Sequence, residues 1–310
     1  MEHLYAEQRE KLMGQIQPFF SIIIPTYGRP NQLEACLNSL SRLAYPSQRF
    51  EVIVVDDGSK TAPEAVVANF RDRVNITLLT QPNSGPASAR NTGAAHAKGE
   101  FLAFTDDDCT SDSAWLKALA DRFKSTPDHL VGGQTINALS KNIFPTASQE
   151  LISYLYDYYN LSYRPTRLFI SNNMAVPVKL FTTVGGFDTS FPLAAGEDRE
   201  FSDRWLHHGY QATYAPEAIV YHSHALTLLG FCHQHFNYGR GAFRFHELRT
   251  QRSQGGIKPE PPQFYLNLLR YPFYRIHGWR ALLTSTLLAV SQVANASGFL
   301  WERMKHLPRI

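Results

Sequence analysis

Three adjacent carboxylates, Asp106, Asp107 and Asp108, follow a short apolar run of the sequence. Packed side by side, such groups repel one another and raise one another's pKa. A divalent cation removes this repulsion, and a small hard cation is often held by one or two carboxylates while substrate phosphates and water fill its other positions. The triplet therefore predicts a site for a metal ion and a diphosphate. An acidic loop or a helix cap is the alternative interpretation.

Two further groups could take part in the same chemistry. The stretch Asp56-Asp57-Gly58-Ser59 also follows an apolar run. Its carboxylates could accept hydrogen bonds from a base or a ribose, but an ordinary Asp-Gly turn is an equally good interpretation. Tyr27 could stack on a base, and by itself it is also a common kind of loop aromatic. These groups support a nucleotide site only if the fold brings them to the triplet.

The elements that would position these groups alternate between apolar runs and helical patterns. Asn31, with Glu34 three residues later, predicts a capping box at the start of the first helix. The predicted strands are residues 19–24, 52–55, 76–79 and 101–104, and the predicted helices between them are residues 31–40, 65–70 and 87–97. Such alternation indicates an α/β fold with a parallel sheet and right-handed crossovers. Ligands of open parallel sheets bind beyond the carboxyl ends of the strands, so both acidic clusters and Tyr27 are expected at one edge.

The composition narrows the class of protein. The chain has 310 residues, of which 44% are apolar and 18% charged, which is enough to bury a sizeable core. A formal net charge of +3 is too small to indicate nucleic acid, and we expect no nucleic-acid partner. The three cysteines are odd in number and widely spaced, which favours a reducing, cytoplasmic compartment. Residues 1–17 contain no apolar core of a signal peptide.

One segment raises the question of a membrane. Residues 281–301 carry no ionisable side chain and have the length of a bilayer span, about 20 residues. Their several Ser, Thr, Gln and Asn side chains make a span less favourable than a helix packed on the protein or lying on a membrane surface. Arginine and lysine side chains flank the segment and would suit anionic lipid, or they form a solvated basic surface. Peripheral contact through residues 260–310 at the inner face of a membrane therefore stays open.

Four stretches in the first half, in this order, resemble family 2 glycosyltransferases, and two more are similar to the acceptor half of that family. The first four are Ser21–Arg29 (SIIIPTYGR), Val54–Ser59 (VVDDGS), Gly85–Gly93 (GPASARNTG) and Phe104–Asp108 (FTDDD). The other two are Asn172–Ala175 (NNMA) with Gly185–Asp188 (GGFD), and Gly196–Asp198 (GED). Single motifs of this kind are weak, but the ordered set, which covers about residues 19–238, is specific.

The resemblance implies a GT-A fold, with a mostly parallel central sheet flanked by helices and a helical C-terminal tail. It implies an N-terminal extension (1–18), a nucleotide-sugar-binding half (19–129), an acceptor-binding and catalytic half (130–250), and a linker with a helical region (251–310). It also implies an inverting transferase, of the hexosyltransferase type, that needs Mn²⁺ or Mg²⁺ and a nucleotide diphosphate-sugar. The acceptor would be a saccharide or a lipid-linked glycan, as in cell-envelope polysaccharide synthesis.

The resemblance also assigns roles to residues. Asp198 matches the general base of the family's Glu-Asp motif, with Glu197 beside it, whereas the sequence alone favours a structural carboxylate. Asp108 is expected to bind the metal directly, with Asp106 beside it, and Asp107 is expected near the ribose. The donor is expected to contact further residues of the matched stretches, namely Pro25, Tyr27, Arg29, Asp57, Arg90 and Asn91.

The histidines after residue 220 could complete the metal shell, as in related GT-A enzymes. In Tyr221-His222-Ser223-His224, His222 is the preferred ligand and His224 the next. Together with His233 and His235 they also raise the possibility of a zinc site, but no cysteine or glutamate spacing supports a closed structural one. Packed or solvated histidines remain the alternative.

Other classes of protein make different predictions. A nicotinamide dehydrogenase would carry G-x-G-x-x-G after its first strand, where this chain has Pro25–Pro30 (PTYGRP), and the chain contains no phosphate-loop motif. A non-catalytic sugar-nucleotide binding protein would keep the donor site without a working base. A membrane-associated polysaccharide or lipid-linked glycan synthase is a further alternative. Polymer-forming members often carry Gln-x-x-Arg-Trp, which Gln234–Tyr238 (QHFNY) matches only in part.

Overall fold

The computed structural model describes residues 17–161, 168–191, 195–253 and 259–306. Residues 1–16, which are most of the predicted N-terminal extension, lie outside the described residues. The prediction that this segment has no signal-peptide core concerns the same residues and residue 17. Residues 254–258 of the predicted linker and residues 307–310 of the predicted C-terminal region also lie outside them.

One eight-stranded sheet runs through the described part of the chain, in the order β3-β2-β1-β4-β7-β6-β8-β5. Its strands are β1 (Phe20–Thr26), β2 (Phe50–Asp56), β3 (Ile76–Thr80), β4 (Phe101–Phe104), β5 (Cys109–Ser111), β6 (Leu130–Asn137), β7 (Met174–Pro177) and β8 (Ala212–His222). The β3-β2-β1-β4 part is parallel, as predicted, because helices connect its strands. Only β7 and β5 run against the other six. The prediction of a mostly parallel sheet is therefore confirmed.

Helices cover both faces of this sheet. The described residues form α1 (Pro30–Leu40), α2 (Glu64–Ala68), α3 (Pro86–Ala95), α4 (Trp115–Ser125), α5 (Ile143–Tyr156), α6 (Val178–Val184), α7 (Glu197–His207), α8 (Leu228–Ser253), α9 (Pro262–Arg270), α10 (Pro272–Arg275) and α11 (Trp279–Lys305). Helices α1 and α4 bury apolar side chains against one face. Helices α3, α6 and α7 cover the other face. Strands β1 and β2 are buried along their whole length, which explains their continuous apolar runs.

The start of the first helix differs from the prediction. Helix α1 begins at Pro30 with Arg29 as its N-cap, and no side chain caps it. Asn31 lies inside the first turn, so the capping box predicted from Asn31 and Glu34 is not formed. Proline is favoured in the first turn because its fixed φ suits a helix and its missing N–H would have no partner there. The proline therefore sets the N-cap at Arg29, two residues earlier than the Asn31 that the polar pattern indicated.

The C-terminal helices pack on the α/β body. Helix α11 crosses α8 so closely that a Cβ on Gly239 would lie 1.9 Å from the carbonyl oxygen of Asn295, and a Cβ on Gly298 would lie 1.9 Å from that of Phe236. Helix α5 joins them through an apolar cluster with α9 and α11. Within the described ranges, no helix combines the length and the apolarity that crossing a membrane requires.

Candidate active site

The carboxylate triplet comes directly after β4, and its last member meets two histidines. The Nε2 atom of His222 lies 3.2 Å from Oδ1 of Asp108, and Nδ1 of His224 lies 3.3 Å from Oδ2. Each of the three side chains offers one ligand atom, and these atoms all lie within 4.8 Å of one another. In the part of the chain that the structure describes, this is the group of side chains that could hold a metal ion.

The sheet brings these three residues together although more than a hundred residues separate them. Strand β5 pairs antiparallel with the end of β8, so that Cys109 lies opposite His222. The backbone N–H of Ser223 donates to the carbonyl oxygen of Asp108 at 2.8 Å, which fixes the chain just beyond the strand. His222 and His224 are two residues apart in extended chain, so their side chains lie on the same side.

Charge and hydrogen bonding decide the ionisation of this group. Burial by itself would raise the pKa of Asp108, but hydrogen bonds from His222 and His224, with the charges of His222 and Arg29, hold it well below its usual value. Burial by itself would lower the pKa of His222, and Asp108 nevertheless raises it. Asp108 is therefore an anion at neutral pH, which is the state that binds a cation.

Asp107 lies on the inner side of the triplet. It is buried, it accepts a hydrogen bond from Oγ1 of Thr26 at 2.7 Å, and Nη1 of Arg29 lies 3.1 Å from its Oδ1. The same Arg29 nitrogen lies 3.1 Å from Oδ2 of Asp108, so the guanidinium bridges the two carboxylates. Burial raises the pKa of Asp107 to about 6 despite the opposing effects of Arg29 and Thr26. Arg29 is half-exposed at the rim of this edge.

Asp106 points away from the histidines and is held by Arg90. Nη2 of Arg90 donates to Asp106 at 2.7 Å, and Nη1 donates to Oε1 of Glu197 at 3.1 Å. The buried Arg90 therefore joins the triplet to the N-terminus of α7, in the other half of the chain. Burial would lower the pKa of Arg90, but these two carboxylates raise it above its usual value. Asp106 does not belong to the cluster formed by Asp108 and the histidines.

Asp198 follows Glu197 in the first turn of α7. Asp198 is partly exposed as a residue, its carboxylate accepts a hydrogen bond from the backbone N–H of Arg199 at 2.7 Å, and the backbone N–H of Ser171 is close enough to lower its pKa. Burial raises the pKa of Asp198 above its usual value in spite of these two N–H groups. Burial and the charge of Asp198 raise the pKa of Glu197 to about 7. Asp198 is thus the more accessible and Glu197 the more buried member of the pair.

Asp57 has a different environment. Its Oδ1 accepts from Nε2 of Gln81 at 2.7 Å and from the backbone N–H of Ser84 at 2.9 Å, and its Oδ2 accepts from the N–H of Gly85 at 2.8 Å. The carboxylate therefore holds the loop between β3 and α3. Gly58 permits this approach, since it adopts a φ of 80° and a Cβ there would lie 2.8 Å from the backbone nitrogen of Asn83.

The remaining predicted residues also lie around this edge. Tyr27 is 52% exposed directly after β1, where a base could stack on it. Pro25 is buried inside β1. Asn91 donates to the carbonyl oxygen of Phe187 at 2.8 Å and accepts from its N–H at 2.9 Å, and so holds the Gly-Gly-Phe-Asp turn.

The structure therefore gathers the triplet, Arg29, Arg90, His222 and the Glu197–Asp198 pair around one edge of the sheet. It adds His224 to the cluster, which was second in preference on sequence grounds. The spacing of two residues after an apolar strand was the signal for it. The ion pair between Arg90 and Glu197 had no such signal, because the two residues are 107 positions apart.

Comparison with known proteins agrees with this arrangement. The profile described as "Glycosyl transferase family 2" matches residues 21–185. Glycosyltransferase AglE of Haloferax volcanii is 30% identical over 216 residues, which are 68% of this chain and 68% of that protein. The chain belongs to glycosyl transferase family 2. It is accordingly a transferase by family.

Other relatives are longer. Validoxylamine A glucosyltransferase of Streptomyces hygroscopicus subsp. limoneus is 30% identical over 229 residues, 65% of this chain and 51% of that protein. Pre-mycofactocin glycosyltransferase of Mycobacterium tuberculosis is 30% identical over 235 residues, 72% of this chain and 46% of that protein. This chain therefore aligns with about half the length of these two family members.

Solved structures agree on the fold. Mannosyltransferase PcManGT from Pyrobaculum calidifontis, in complex with GDP-Man and Mn²⁺, superposes with a TM-score of 0.65 at 17% identity and covers 97% of this chain and 94% of its own. S. aureus TarS 1-349 in complex with UDP-GlcNAc gives a TM-score of 0.56 at 18% identity and covers 94% and 93%. At this identity the likeness establishes the GT-A type of fold. It confirms the fold expected for the family.

Proposed function

We propose that this chain transfers a sugar from a nucleotide diphosphate-sugar to an acceptor hydroxyl, with inversion and with the help of a divalent cation. The observation that carries the proposal is the arrangement on either side of Arg90. On one side lies a compact ligand group of Asp108, His222 and His224. On the other lies Asp198, a partly exposed residue beside Glu197, which Arg90 binds. A donor and a base are both needed for transfer, and this edge has a place for each.

The ligand group suits a cation that accepts nitrogen as well as oxygen. One carboxylate and two imidazoles within 4.8 Å form one side of a coordination shell, which leaves positions for phosphate oxygens. Mg²⁺ strongly prefers oxygen ligands, so two imidazoles favour a transition metal such as Mn²⁺ over Mg²⁺. A bound cation would stabilise the charge that develops on the leaving diphosphate. We assign Asp108, His222 and His224 as ligands and Asp106 as the carboxylate that positions Arg90.

The remaining steps follow from the chain's own residues. Asp198 takes the proton of the acceptor hydroxyl while its oxygen forms a bond to the anomeric carbon, and the bond from that carbon to the diphosphate oxygen breaks. The electron pair of the broken bond leaves with the diphosphate, so one displacement inverts the anomeric centre. The raised pKa of Asp198 makes it a stronger base than an ordinary aspartate. Tyr27 and Arg29 would contact the base and the phosphates from the exposed side of β1.

A non-catalytic binding protein is the competing function, and Asp198 separates the two. Nucleotide sugars should raise the melting temperature of the chain with Mn²⁺ present and much less after chelation. Asp198→Asn should keep this donor binding and lose transfer by a factor of 10²–10⁴, the usual contribution of a general base. Asp121→Asn, which removes a carboxylate on α4 that binds Lys117 and Lys124, is the matched control. If Asp198→Asn turns over as fast as the native chain, Asp198 is not the general base. If the donor binds equally well with and without metal, the proposed cation is not needed for donor binding.

We also propose that the C-terminal helices contact the inner face of a membrane. One side of α11 is exposed and carries no charge from residue 282 to residue 301, and Leu282, Val293 and Leu300 on it are more than half exposed. Arg270, Arg275, Arg280, Arg303 and Lys305 lie along the same region. An apolar strip with cations around it complements an anionic bilayer surface.

Vesicle flotation tests this contact. The chain should float with vesicles that contain anionic lipid and float less with zwitterionic ones. Leu282→Ser combined with Leu300→Ser should weaken flotation, whereas Thr286→Ser on the same exposed side should not. Failure of the native chain to float with either kind of vesicle would contradict the proposal.

A further inference from the structure

A cavity lies beside the end of strand β6, whose last residue, Asn137, pairs with His222 of the candidate active site. It has a volume of about 480 Å³ and lies between the last residues of β6, the helix α5 and the junction of α10 with α11. Its size falls within the range of small-molecule sites. Much of its wall consists of hydrogen-bonding side chains, including those of Asn137, Thr146, Gln149 and Ser153. A wall of this kind suits a ligand with many hydroxyl groups rather than an apolar one.

Hydrogen bonds link the lining of this cavity to the chain segments that carry the candidate active site. Ala138, next to the lining residue Asn137, donates its N–H to the carbonyl oxygen of His222 at 2.9 Å. Thr135, another lining residue, donates to the side chain of Asn172 at 3.1 Å. Asn172 follows Ser171, whose backbone N–H is close enough to Asp198 to lower its pKa. The end of β6 therefore contacts the backbone of the metal ligand His222 at one point, and at another it is linked to Asp198 through Asn172 and Ser171.

Cations line one side of the cavity. Nη2 of Arg280 donates to the carbonyl oxygen of Ser140 at 2.6 Å, and Nε of Arg275 lies 3.2 Å from Oε2 of Glu150. Among the described residues, the other guanidinium nitrogens of these two arginines have no hydrogen-bond partner, and His277 also lines the wall. Unused guanidinium donors bind phosphate and carboxylate groups well, because their geometry matches two oxygens at once.

Glu150 adds an acceptor to the same wall. It is 8% exposed, and within the described ranges its Oε2 makes no hydrogen bond of good geometry, although Arg275 lies close to it as an ion pair. Buried carboxylate oxygens are normally satisfied by hydrogen-bond donors. Oε2 is enclosed and faces Arg275, so a sugar hydroxyl in the cavity could reach only the other carboxylate oxygen, Oε1. The wall therefore offers an acceptor for a hydroxyl and free donors for an anion within one cavity.

We propose that this cavity is an acceptor subsite that binds a saccharide carrying an oxyanion, either a phosphate or a carboxylate. Arg275 and Arg280 bind the anion, and Glu150 accepts a hydrogen bond from a hydroxyl of the same sugar. The subsite holds the acceptor at a distance from the reacting hydroxyl, which extends past β6 towards Asp198. This assignment rests on the proposed glycosyl transfer, since it names the class of acceptor.

Ligand-observed NMR titrations of the full chain test the subsite. The probes are glucose 6-phosphate and glucuronate, with glucose as the neutral control. Both anionic sugars should bind at least about tenfold more tightly than glucose, and Arg280→Gln should remove most of that preference, because a charged hydrogen bond is lost. Arg42→Gln, at an exposed arginine just after α1 that does not line the cavity, should leave it unchanged. Arg275→Gln provides a second variant, in case one replacement disturbs the fold.

Two results would overturn the subsite. Glucose could bind as tightly as the anionic sugars, or both arginine variants could keep the preference of the native chain. Mn²⁺-dependent binding of a nucleotide sugar is measured on the same samples. If the nucleotide sugar binds but the preference for anionic sugars is missing, only the subsite is rejected. If the nucleotide sugar does not bind, the proposed transfer is rejected.

The source of the anion is distinguished by a further pair of probes. Octyl glucosyl phosphate represents a lipid-linked acceptor, and glucuronate represents an acidic polysaccharide. Preference for the first supports a phosphodiester that leads to a lipid, and preference for the second supports a uronate. If Arg280→Gln binds the preferred probe as tightly as the native chain does, both the phosphodiester and the uronate assignments are contradicted.

Discussion

Two carboxylates at the same edge of the sheet have opposite kinds of partner. Asp57, after β2, accepts three hydrogen bonds from neutral donors of residues 81–85, two of them from backbone amides. Asp108, after β4, is bound by Arg29, His222 and His224, all of which are cations or can become cations. The described part of the chain places no ion pair on Asp57.

The difference separates two uses of the same residue type. Neutral donors fixed in a loop cannot be replaced by a metal ion without breaking the loop, so Asp57 fixes the backbone near the expected base. Imidazoles can exchange a proton for a metal ion and remain in place, so Asp108 can bind a cation without rearrangement. The position of an acidic residue after a strand therefore does not reveal its role, whereas its partners do.

The largest effect is expected for Asp108→Asn. The change removes the anionic ligand of the proposed metal group, and kcat/KM with Mn²⁺ should fall by about 10³-fold, because a catalytic cation supplies several kcal/mol. Mn²⁺ binding, measured by electron paramagnetic resonance, should weaken in parallel. Unchanged Mn²⁺ affinity in this variant would remove the contrast with Asp57.

Asp57→Asn should act on the fold rather than on the metal. The amide nitrogen of asparagine would face an N–H group whose hydrogen bond the carboxylate now accepts. Because two donors would then face each other, the free energy of unfolding should fall by about 1–3 kcal/mol. Urea unfolding measures this loss, and Mn²⁺ affinity should stay within twofold of the native value. A large loss of Mn²⁺ binding here would show that the two carboxylates are not distinct in role.

A third acidic site provides a pH test. The pKa of Glu197 is raised to about 7 in the folded chain, from an ordinary value of 4.5, by burial and by Asp198. Its protonated form therefore favours the folded state, and this contribution is complete below pH 4.5 and is lost as the pH rises through about 7. The free energy of unfolding of the native chain should therefore decline by about 1–3 kcal/mol between these pH values. In Glu197→Gln this decline should be absent.

The comparison of variant and native chain over the same pH range isolates Glu197 from other groups. Burial lowers the pKa of His235 to about 4, so this histidine destabilises the fold in the opposite direction, as the pH falls below 6.5. Both chains share that effect. Parallel curves of unfolding free energy against pH for the two chains would mean that Glu197 does not titrate in this range.

The smallest effect is expected for Arg29→Gln. This change should strengthen Mn²⁺ binding, whereas Asp108→Asn should weaken it. Arg29 places a positive charge on Asp108 and competes with a metal ion for it. Without donor, Mn²⁺ affinity should rise by about two- to fivefold, since a half-exposed charge at this distance contributes about 1 kcal/mol. Titration calorimetry without nucleotide measures the change. A fall in Mn²⁺ affinity would mean that Arg29 helps to assemble the metal group.

The first four strands were predictable because each is a local property of the sequence. Buried parallel strands are continuous apolar runs, and the observed ends lie within two residues of the predicted ones in three of the four cases and coincide for Phe101–Phe104. The edge that collects Asp57 and the triplet then follows from the parallel arrangement. The start of α1 was missed because the turn-forming proline overrode the polar pattern around Asn31.

The rest of the site depends on pairings that no local pattern encodes. Asp108 meets His222 because β5 pairs with β8, and Arg90 meets Glu197 because α3 and α7 cover the same face. The neutral partners of Asp57 are also distant from it in sequence. The contacts of Asp57 with its loop and of Asp106 with Arg90 could therefore be seen only in the coordinates, while the placement of both residues at the edge could be predicted.

The crossing of α8 and α11 determines the orientation of the exposed side of α11. Gly239 and Gly298 each face a carbonyl oxygen of the other helix, at a distance that no side chain would permit. Sliding α11 by one residue, or turning it by 100°, would bring Ser297 or Phe299 in place of Gly298 against the carbonyl oxygen of Phe236, and would move the carbonyl oxygen of Asn295 away from Gly239. Two glycines therefore fix both the axial position and the rotation of the last helix, and with them the angle between its uncharged strip and the sheet edge where transfer is proposed.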